Sequence, residues 1–242
     1  MNISALIRKF VPARYFLCLS YYAHKYKGKL EPEMAILREL AGNKQRAIDV
    51  GANRGLYTYA LSKIFNKVEA FEPVPEYFDA LTKSKPGNVS LHNIGLSDKG
   101  GVLEINIPKD NYGESPSFID FGNDSIKKTV PIKLLDEYQF SDVSFIKIDV
   151  EGYESFVIRG AEQTIRKDKP VLLVEIEQRH LDRPITDIFN MIIEYGYHGY
   201  YYLDGKYVDV SNFSYEKDQK PYLDNLKNKK YINNFIFKPN HN

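Results

Sequence analysis

Five carboxylates and a histidine stand where apolar runs stop, the place where an open parallel sheet presents its chemistry. Asp49 lies in AIDVGANRG, Glu72 in KVEAFEP, Asp149 and Glu151 in FIKIDVEGYE, and Glu175 in VLLVEIEQRH, which ends on His180. A carboxylate in such a place can hold a cation, accept hydrogen bonds from vicinal hydroxyls or take up a proton. A histidine, with an ordinary pKa near neutrality, can also act as a base.

The first of these acids sits in a glycine turn. Asp49, Gly51, Asn53 and Gly55 read D-V-G-A-N-R-G, between an apolar run and a helical pattern. A dinucleotide site asks for G-x-G-x-x-G, so that a pyrophosphate can rest on backbone and a helix N-terminus. Only two glycines are present here, and a carboxylate ending the strand repels an anion and holds a cation. The ligand that suits this combination is S-adenosylmethionine, which has an ammonium, a sulfonium and an adenosine but no phosphate. Glu72 follows by about 20 residues, where an acid commonly accepts hydrogen bonds from both ribose hydroxyls. Alone it could equally be an exposed strand-end carboxylate. Asn93, Gly95 and Leu96, in HNIGLSD, fall at the end of a third strand, beside the expected adenine position.

Strands are expected at 46–50, 67–71 and 88–93, with helices at 32–40, 56–65 and 75–83. This β-α-β-α-β alternation predicts a parallel sheet covered on both faces. Residues 102–108 and 128–134 alternate like strands around the polar span KDNYGESPSFIDFGNDS, a length more often functional or mobile than idle. Strands at 144–150 and 171–177, helices at 153–167 and 185–195, a hairpin of 199–203 with 207–210, and a last strand at 232–238 complete the pattern. The expectation is one α/β domain over 46–242, with an N-terminal helical extension over 1–45.

The chain has 33 Lys and Arg against 32 Asp and Glu, a balance that argues against a nucleic-acid surface. Its one cysteine, Cys18, can form neither an intrachain disulfide nor a CxxC-type zinc site, which fits a reducing, cytoplasmic setting. The N-terminus differs from the rest. Arg8, Lys9, Arg14, Lys25, Lys27 and Lys29 precede the first acid, Glu31, and enclose YFLCLSYYA. That segment is too short to span a bilayer, which takes about 20 apolar residues. It reads either as a helix resting peripherally on an anionic membrane or as a helix packed on the domain edge.

The motifs AIDVGANRGLYT, AFEPVPEYFDAL, LHNIGLSD, VPIKLLDEY, FIKIDVEGYESFVIRGAEQTIRKDKPVLLVEIEQRH and YINNFIFKP resemble those of the FkbM family of S-adenosylmethionine-dependent methyltransferases. The most specific block is IDVEGYE, followed by a GAE helix and a strand ending in E-I-E. The resemblance implies a Rossmann-like, doubly wound sheet of seven strands, mostly parallel with the last inserted antiparallel. It also implies O-methyl transfer to a hydroxyl of a sugar or a polyketide-derived small molecule. By position, Asp49, Gly51, Asn53 and Gly55 would hold the methionine half of the cofactor and Glu72 the ribose. Ser97 and Asp98 match the polar pair after the third strand.

Alternation then brings Lys147, Asp149 and Glu151 from one strand and Glu175 and Glu177 from the next to the cofactor's methyl side. Asp149, Glu175 or His180 could take the proton of the acceptor hydroxyl. His180 could as well be an ordinary loop histidine. Asp149, Glu151 and Glu175 could offer hard oxygen ligands to magnesium. Carboxylates at helix starts are common for electrostatic reasons alone, so no metal is expected. Tyr195, Tyr197, Tyr200, Tyr201, Tyr202 and Tyr207 could line a sugar site or simply build a strand pair. The favoured reading is O-methylation of a sugar hydroxyl in a surface glycan, lipopolysaccharide or glycosylated metabolite. The alternatives are a non-sugar acceptor, a nucleic acid, for which no Asn/Asp-Pro-Pro-aromatic motif is present, or a non-catalytic cofactor-binding partner subunit.

Overall fold

Side chains point alternately to the two faces of a strand, and in this chain both sets are apolar. Of the first strand, Ala47 belongs to one buried cluster, and Ile48 and Val50 to the other. A sheet with two apolar faces must be covered twice. The computed structural model describes residues 11–108 and 125–240, so the expected polar loop falls almost wholly outside the described residues.

In chain order the elements begin with α1 (Phe16–Tyr26), α2 (Glu33–Leu40), β1 (Arg46–Val50), α3 (Leu56–Ser62), β2 (Lys67–Phe71), α4 (Pro75–Thr82) and β3 (Val89–His92). The short β4 (Gly95–Leu96), β5 (Gly101–Pro108) and β6 (Ser125–Lys133) follow. Then come β7 (Val143–Ile148), α5 (Glu154–Gly160), α6 (Glu162–Asp168), β8 (Val171–Glu175) and α7 (Thr186–Glu194). The chain ends through β9 (Tyr197–Leu203), β10 (Lys206–Asp209), α8 (Tyr215–Asp218) and β11 (Asn234–Pro239).

The main sheet runs β10-β9-β11-β8-β7-β1-β2-β3. Strands β3, β2, β1, β7 and β8 are parallel, and β11 is antiparallel to both β8 and β9. The last strand is therefore inserted as expected, but the sheet has eight strands rather than seven. The eighth is β10, the outer arm of the hairpin at Asp204-Gly205, whose backbone pairing extends the sheet edge. Leu17, Ile36, Leu37, Leu40, Leu61 and Leu81 of α1 to α4 pack on one face; Val157, Ile158, Ile165, Ile188 and Ile192 of α5 to α7 pack on the other. A second sheet, β4-β6-β5, stands apart from the first.

Two departures from the expected elements bear on the site. Residues 153–167 form two helices, not one. Gly160 lies so close to the Ser97 carbonyl that a Cβ would come within 1.9 Å of it. Asp136 then accepts the N–H groups of Gln163 and Thr164 at 2.9 Å each, capping α6 from outside. The strands expected to reach Val150 and Glu177 stop at Ile148 and Glu175. Residues 149–152 instead form a turn, with φ of 51° at Glu151 and 98° at Gly152.

Candidate active site

Sheet order reverses between β1 and β7, since β2 and β3 lie on one side of β1 and β7 and β8 on the other. Open α/β sheets bind ligands at the carboxyl ends of strands flanking such a switch. The two turns found there touch. Gly51 has φ 80°, and a Cβ on it would fall 1.8 Å from the Asp149 carbonyl oxygen, so only glycine fits. Gly152 solves the same problem one layer on, where a Cβ would come 2.8 Å from the His180 carbonyl oxygen.

Two cavities open on these turns. The smaller, about 50 Å³, is lined by Phe71, Glu72, Val74, Ile94, Gly95, Leu96 and Ile105. Its walls are largely apolar, and Glu72, just after β2 and 3% exposed, joins Asp149 and Glu151 as its acids. Glu72 accepts the Asn53 N–H at 2.6 Å and the Val74 N–H at 2.8 Å, which clamps the glycine turn to the turn after β2. Burial pushes its carboxyl up to about 7, against the pull of those two donors.

The larger cleft, about 480 Å³, is lined with charge. Asp49 lies at its floor, 1% exposed, and accepts from the Thr58 hydroxyl at 2.5 Å. Burial raises Asp49 to about 6, offset in part by Thr58 and Lys147. Lys147, also 1% exposed, places its Nζ 3.4 Å from Asp149 Oδ2, 3.8 Å from Glu175 Oε2 and 4.8 Å from the centre of the Tyr57 ring. Burial alone would lower its pKa, but Asp149, Glu175, Glu31 and Asp49 together hold it above the ordinary lysine value. Glu175 accepts from Asn233 at 2.6 Å, and its carboxyl is raised well above the usual range by burial and by Asp149. Gly51, Asn53, Asp149 and Glu151 line both cavities and so mark their junction.

His180 and Glu177 also face the larger cleft. His180 Nδ1 lies 3.0 Å from Glu151 Oε2. Among the described residues, Glu151, Glu177 and His180 bring ligand atoms within 4.8 Å of one another; the set Asp149, Glu151 and Glu175 considered from sequence does not form this group. Glu175 is drawn aside by Lys147 and Asn233, and Glu177 is already met by Arg179 at 2.6 Å and by the Tyr231 hydroxyl. Each acid of the cluster thus already has a partner within the fold, Glu151 in His180 and Glu177 in Arg179 and Tyr231.

Of the residues singled out from sequence, Asp49, Gly51, Asn53, Gly55, Glu72, Gly95, Leu96, Asp149, Glu151, Glu175 and His180 line one or both cavities. Asn93 does not; its amide donates to the carbonyls of Glu72 and Pro73 at 2.9 and 3.2 Å, bracing the turn from behind. Ser97 is fully buried beneath Gly160 and lines neither cavity, while its neighbour Asp98 is paired with Arg159 at 3.0 Å. None of the six late tyrosines lines either cavity. Tyr195, Tyr197 and Tyr201 are core residues, and Tyr207 donates to Glu39 at 2.7 Å.

Sequence reasoning gave Lys147 no role, yet it lies at the centre of the acid group. The signal was present: a lysine inside the wholly buried strand VSFIKI has to find counter-charges. Glu31, Met34, Leu226 and Lys227 complete the cleft with no motif to announce them, and Asn233 joins them from the motif YINNFIFKP.

Comparison with known proteins bears on the family and the fold. A hexuronic acid methyltransferase, AglP, of Haloferax volcanii is 30% identical over 145 residues, covering 59% of this chain and 60% of that protein. The crystal structure of methyltransferase FkbM from Methylobacillus flagellatus KT superposes with a TM-score of 0.52 at 17% identity, over 96% of this chain and 60% of that one. The likeness to that structure concerns the fold. Residues 49–199, from Asp49 through the junction to the first strand of the hairpin, match the methyltransferase FkbM domain, and the chain belongs to that family of methyltransferases.

Proposed function

We propose that the protein is an S-adenosylmethionine-dependent O-methyltransferase whose acceptor is a sugar hydroxyl. The observation that carries the reading is the junction: Asp149 borders both a largely apolar pocket that holds Glu72 and a cleft crowded with charge. The donor set suits S-adenosylmethionine. Phe71, Val74, Ile94 and Leu96 offer apolar walls for adenine, Glu72 an acceptor for ribose hydroxyls, and Asp49 a buried anion for an ammonium. When bound, this cofactor supplies a methyl group made electrophilic by a sulfonium.

The chain's own residues then have separable tasks. Asp49 and Glu72 fix the donor, and the Gly51 and Gly152 turns set the spacing between β1, β7 and the 178–180 segment. Asp149 accepts the proton of the acceptor hydroxyl, a role that typically adds about 10²–10⁴-fold. Lys147 keeps a positive charge between Asp149 and Glu175, which offsets part of the burial and repulsion that raise the Glu175 carboxyl. The hexuronic acid named for the Haloferax relative supports a sugar as acceptor class.

The test is incubation of the purified protein with methyl-labelled S-adenosylmethionine and a panel of hexuronic acids, neutral sugars and their glycosides. Label is expected in a base-stable ether on a sugar, and only with an intact Asp149. Calorimetry with S-adenosylhomocysteine separates binding from turnover. Absence of binding defeats the cofactor assignment; binding without transfer to any sugar defeats the acceptor assignment.

A further inference from the structure

Helix α1 carries two unlike faces. On one, Leu17 is buried, Cys18 Sγ accepts from the Tyr59 hydroxyl at 3.1 Å, and the rings of Tyr21 and Tyr59 lie 5.1 Å apart. These contacts fix the helix to α3. On the other, Tyr15, Leu19, Tyr22 and Tyr26 are 46%, 45%, 52% and 94% exposed. Their spacing of four, three and four residues is that of a single helical stripe, so the exposed apolar groups form one continuous strip.

Along this segment of the chain the charge is of one sign. Arg14, Lys25, Lys27 and Lys29 are exposed, and no Asp or Glu precedes Glu31, although acids and bases nearly balance over the whole chain. We infer that α1 is a docking surface for an anionic lipid bilayer, lying flat with Tyr15, Leu19, Tyr22 and Tyr26 at headgroup depth. Tyrosine suits that depth because its ring is apolar and its hydroxyl wet. The flanking lysines and arginine meet the negative surface potential. A second copy of the chain is a poor occupant, since pairing like faces by a twofold axis would oppose two sets of cations. Among the described residues no helix is long and apolar enough to cross a membrane, so the contact is peripheral.

The docked helix lies beside the cleft. Leu17 comes within 3.1 Å of where a Cβ on Gly55 would stand, and Gly55 lines the larger cavity. The docking itself does not depend on methyl transfer.

Vesicle flotation with the full chain tests the inference, using phosphatidylcholine with or without phosphatidylglycerol. The protein should float with the anionic vesicles only, and should be released by salt, which screens surface charge. Lys25→Glu with Lys27→Glu should weaken binding at least tenfold, and Leu19→Ser with Tyr26→Ser several-fold, all with unchanged thermal unfolding. Equal binding to neutral vesicles, no binding to either, or full binding by the double charge reversal would overturn it. So would a dimer in light scattering that Leu19→Ser with Tyr26→Ser dissolves, because the strip would then be an interface between copies.

Discussion

The smaller cavity takes its walls mainly from residues 50–53, 71–74 and 94–96, the turns after consecutive strands β1, β2 and β3. The larger cleft draws on positions from Glu31 to Asn233. The first is built by local turns that repeat one structural solution; the second by segments far apart in the chain that only the completed sheet brings together. Their chemistry differs in the same way. Glu72 is held by backbone N–H groups of its own and the neighbouring turn, whereas Asp149 and Glu175 are held by Lys147, a side chain from inside β7. A site made of local turns can survive with variable surroundings, but a charge cluster assembled at long range fails when one member is lost.

The largest effect should come from the junction. Asp149→Asn is expected to lower kcat by about 10²–10⁴-fold, as for loss of a positioned base, with the affinity for S-adenosylhomocysteine within a few-fold of the parent. Calorimetry beside single-turnover assays measures both. Equal loss of binding and rate would erase the division between a donor pocket and a reacting cleft. Next, Asp49→Asn removes a buried charged acceptor while keeping its shape. A charged hydrogen bond contributes about 1.5–3 kcal/mol, so cofactor affinity should fall about 10–100-fold. Unchanged affinity would remove Asp49 from the donor site.

Lys147→Met should act on the cleft and leave the smaller pocket alone. Without that cation Glu175 loses the counter-charge that opposes its burial, and its pKa rises further. The acid limb of the pH–rate profile is expected to move to higher pH, with cofactor affinity altered only as far as Asp49 loses its share of the same cation. Lys147→Arg, which keeps the charge, should recover part of the lost rate. A uniform fall in rate with no displacement of the profile would indicate a merely structural lysine.

Both cavities hold carboxylates that burial raises; in the smaller it is Glu72, with Asp49 and Asp149 adding to the rise. Glu72 moves from 4.5 to about 7. Between those values the folded chain keeps a proton that the unfolded chain releases, so its contribution to stability falls as pH rises through that window. Ligand affinity should run the other way, because the ionised carboxylate is the stronger acceptor for ribose hydroxyls. The dissociation constant for S-adenosylhomocysteine should decrease as pH rises through about 7, and Glu72→Gln should flatten that dependence down to the remaining contribution of Asp49, centred near 6. A slope that persists unchanged in Glu72→Gln would place the titrating group elsewhere.

This division also explains what could be read from the residues alone. The glycine turn, Glu72 and the 94–96 turn were legible because each lies at a strand end, and strand ends can be found from apolar runs and turn residues. Asn93 and Ser97 fell on the right turn but on its wrong side, since one residue of shift sends a side chain away from the cavity. The break between α5 and α6 was hidden because Asp136, distant in sequence, caps α6. Lys147 was visible as a residue type and invisible as a role. Asp149, two residues on, is its nearest counter-charge, but the others, Glu175, Glu31 and Asp49, come from three other segments.

The smallest effect belongs to the rim of the larger cleft, where Leu226 and Lys227 approach it from the chain's last third. Both are exposed, and exposed charges are worth about 0–1 kcal/mol because water and salt screen them. Lys227→Ala should therefore change KM for the acceptor by no more than about fivefold, leaving kcat and cofactor affinity alone. The direction identifies the acceptor. With a hexuronic acid KM should rise, since a carboxylate loses a cation; with a neutral sugar it should stay within error. A fall in kcat instead would mean that the rim reaches the reacting atoms, and the cleft would have to be treated as one cooperative unit rather than a reactive floor with a selective edge.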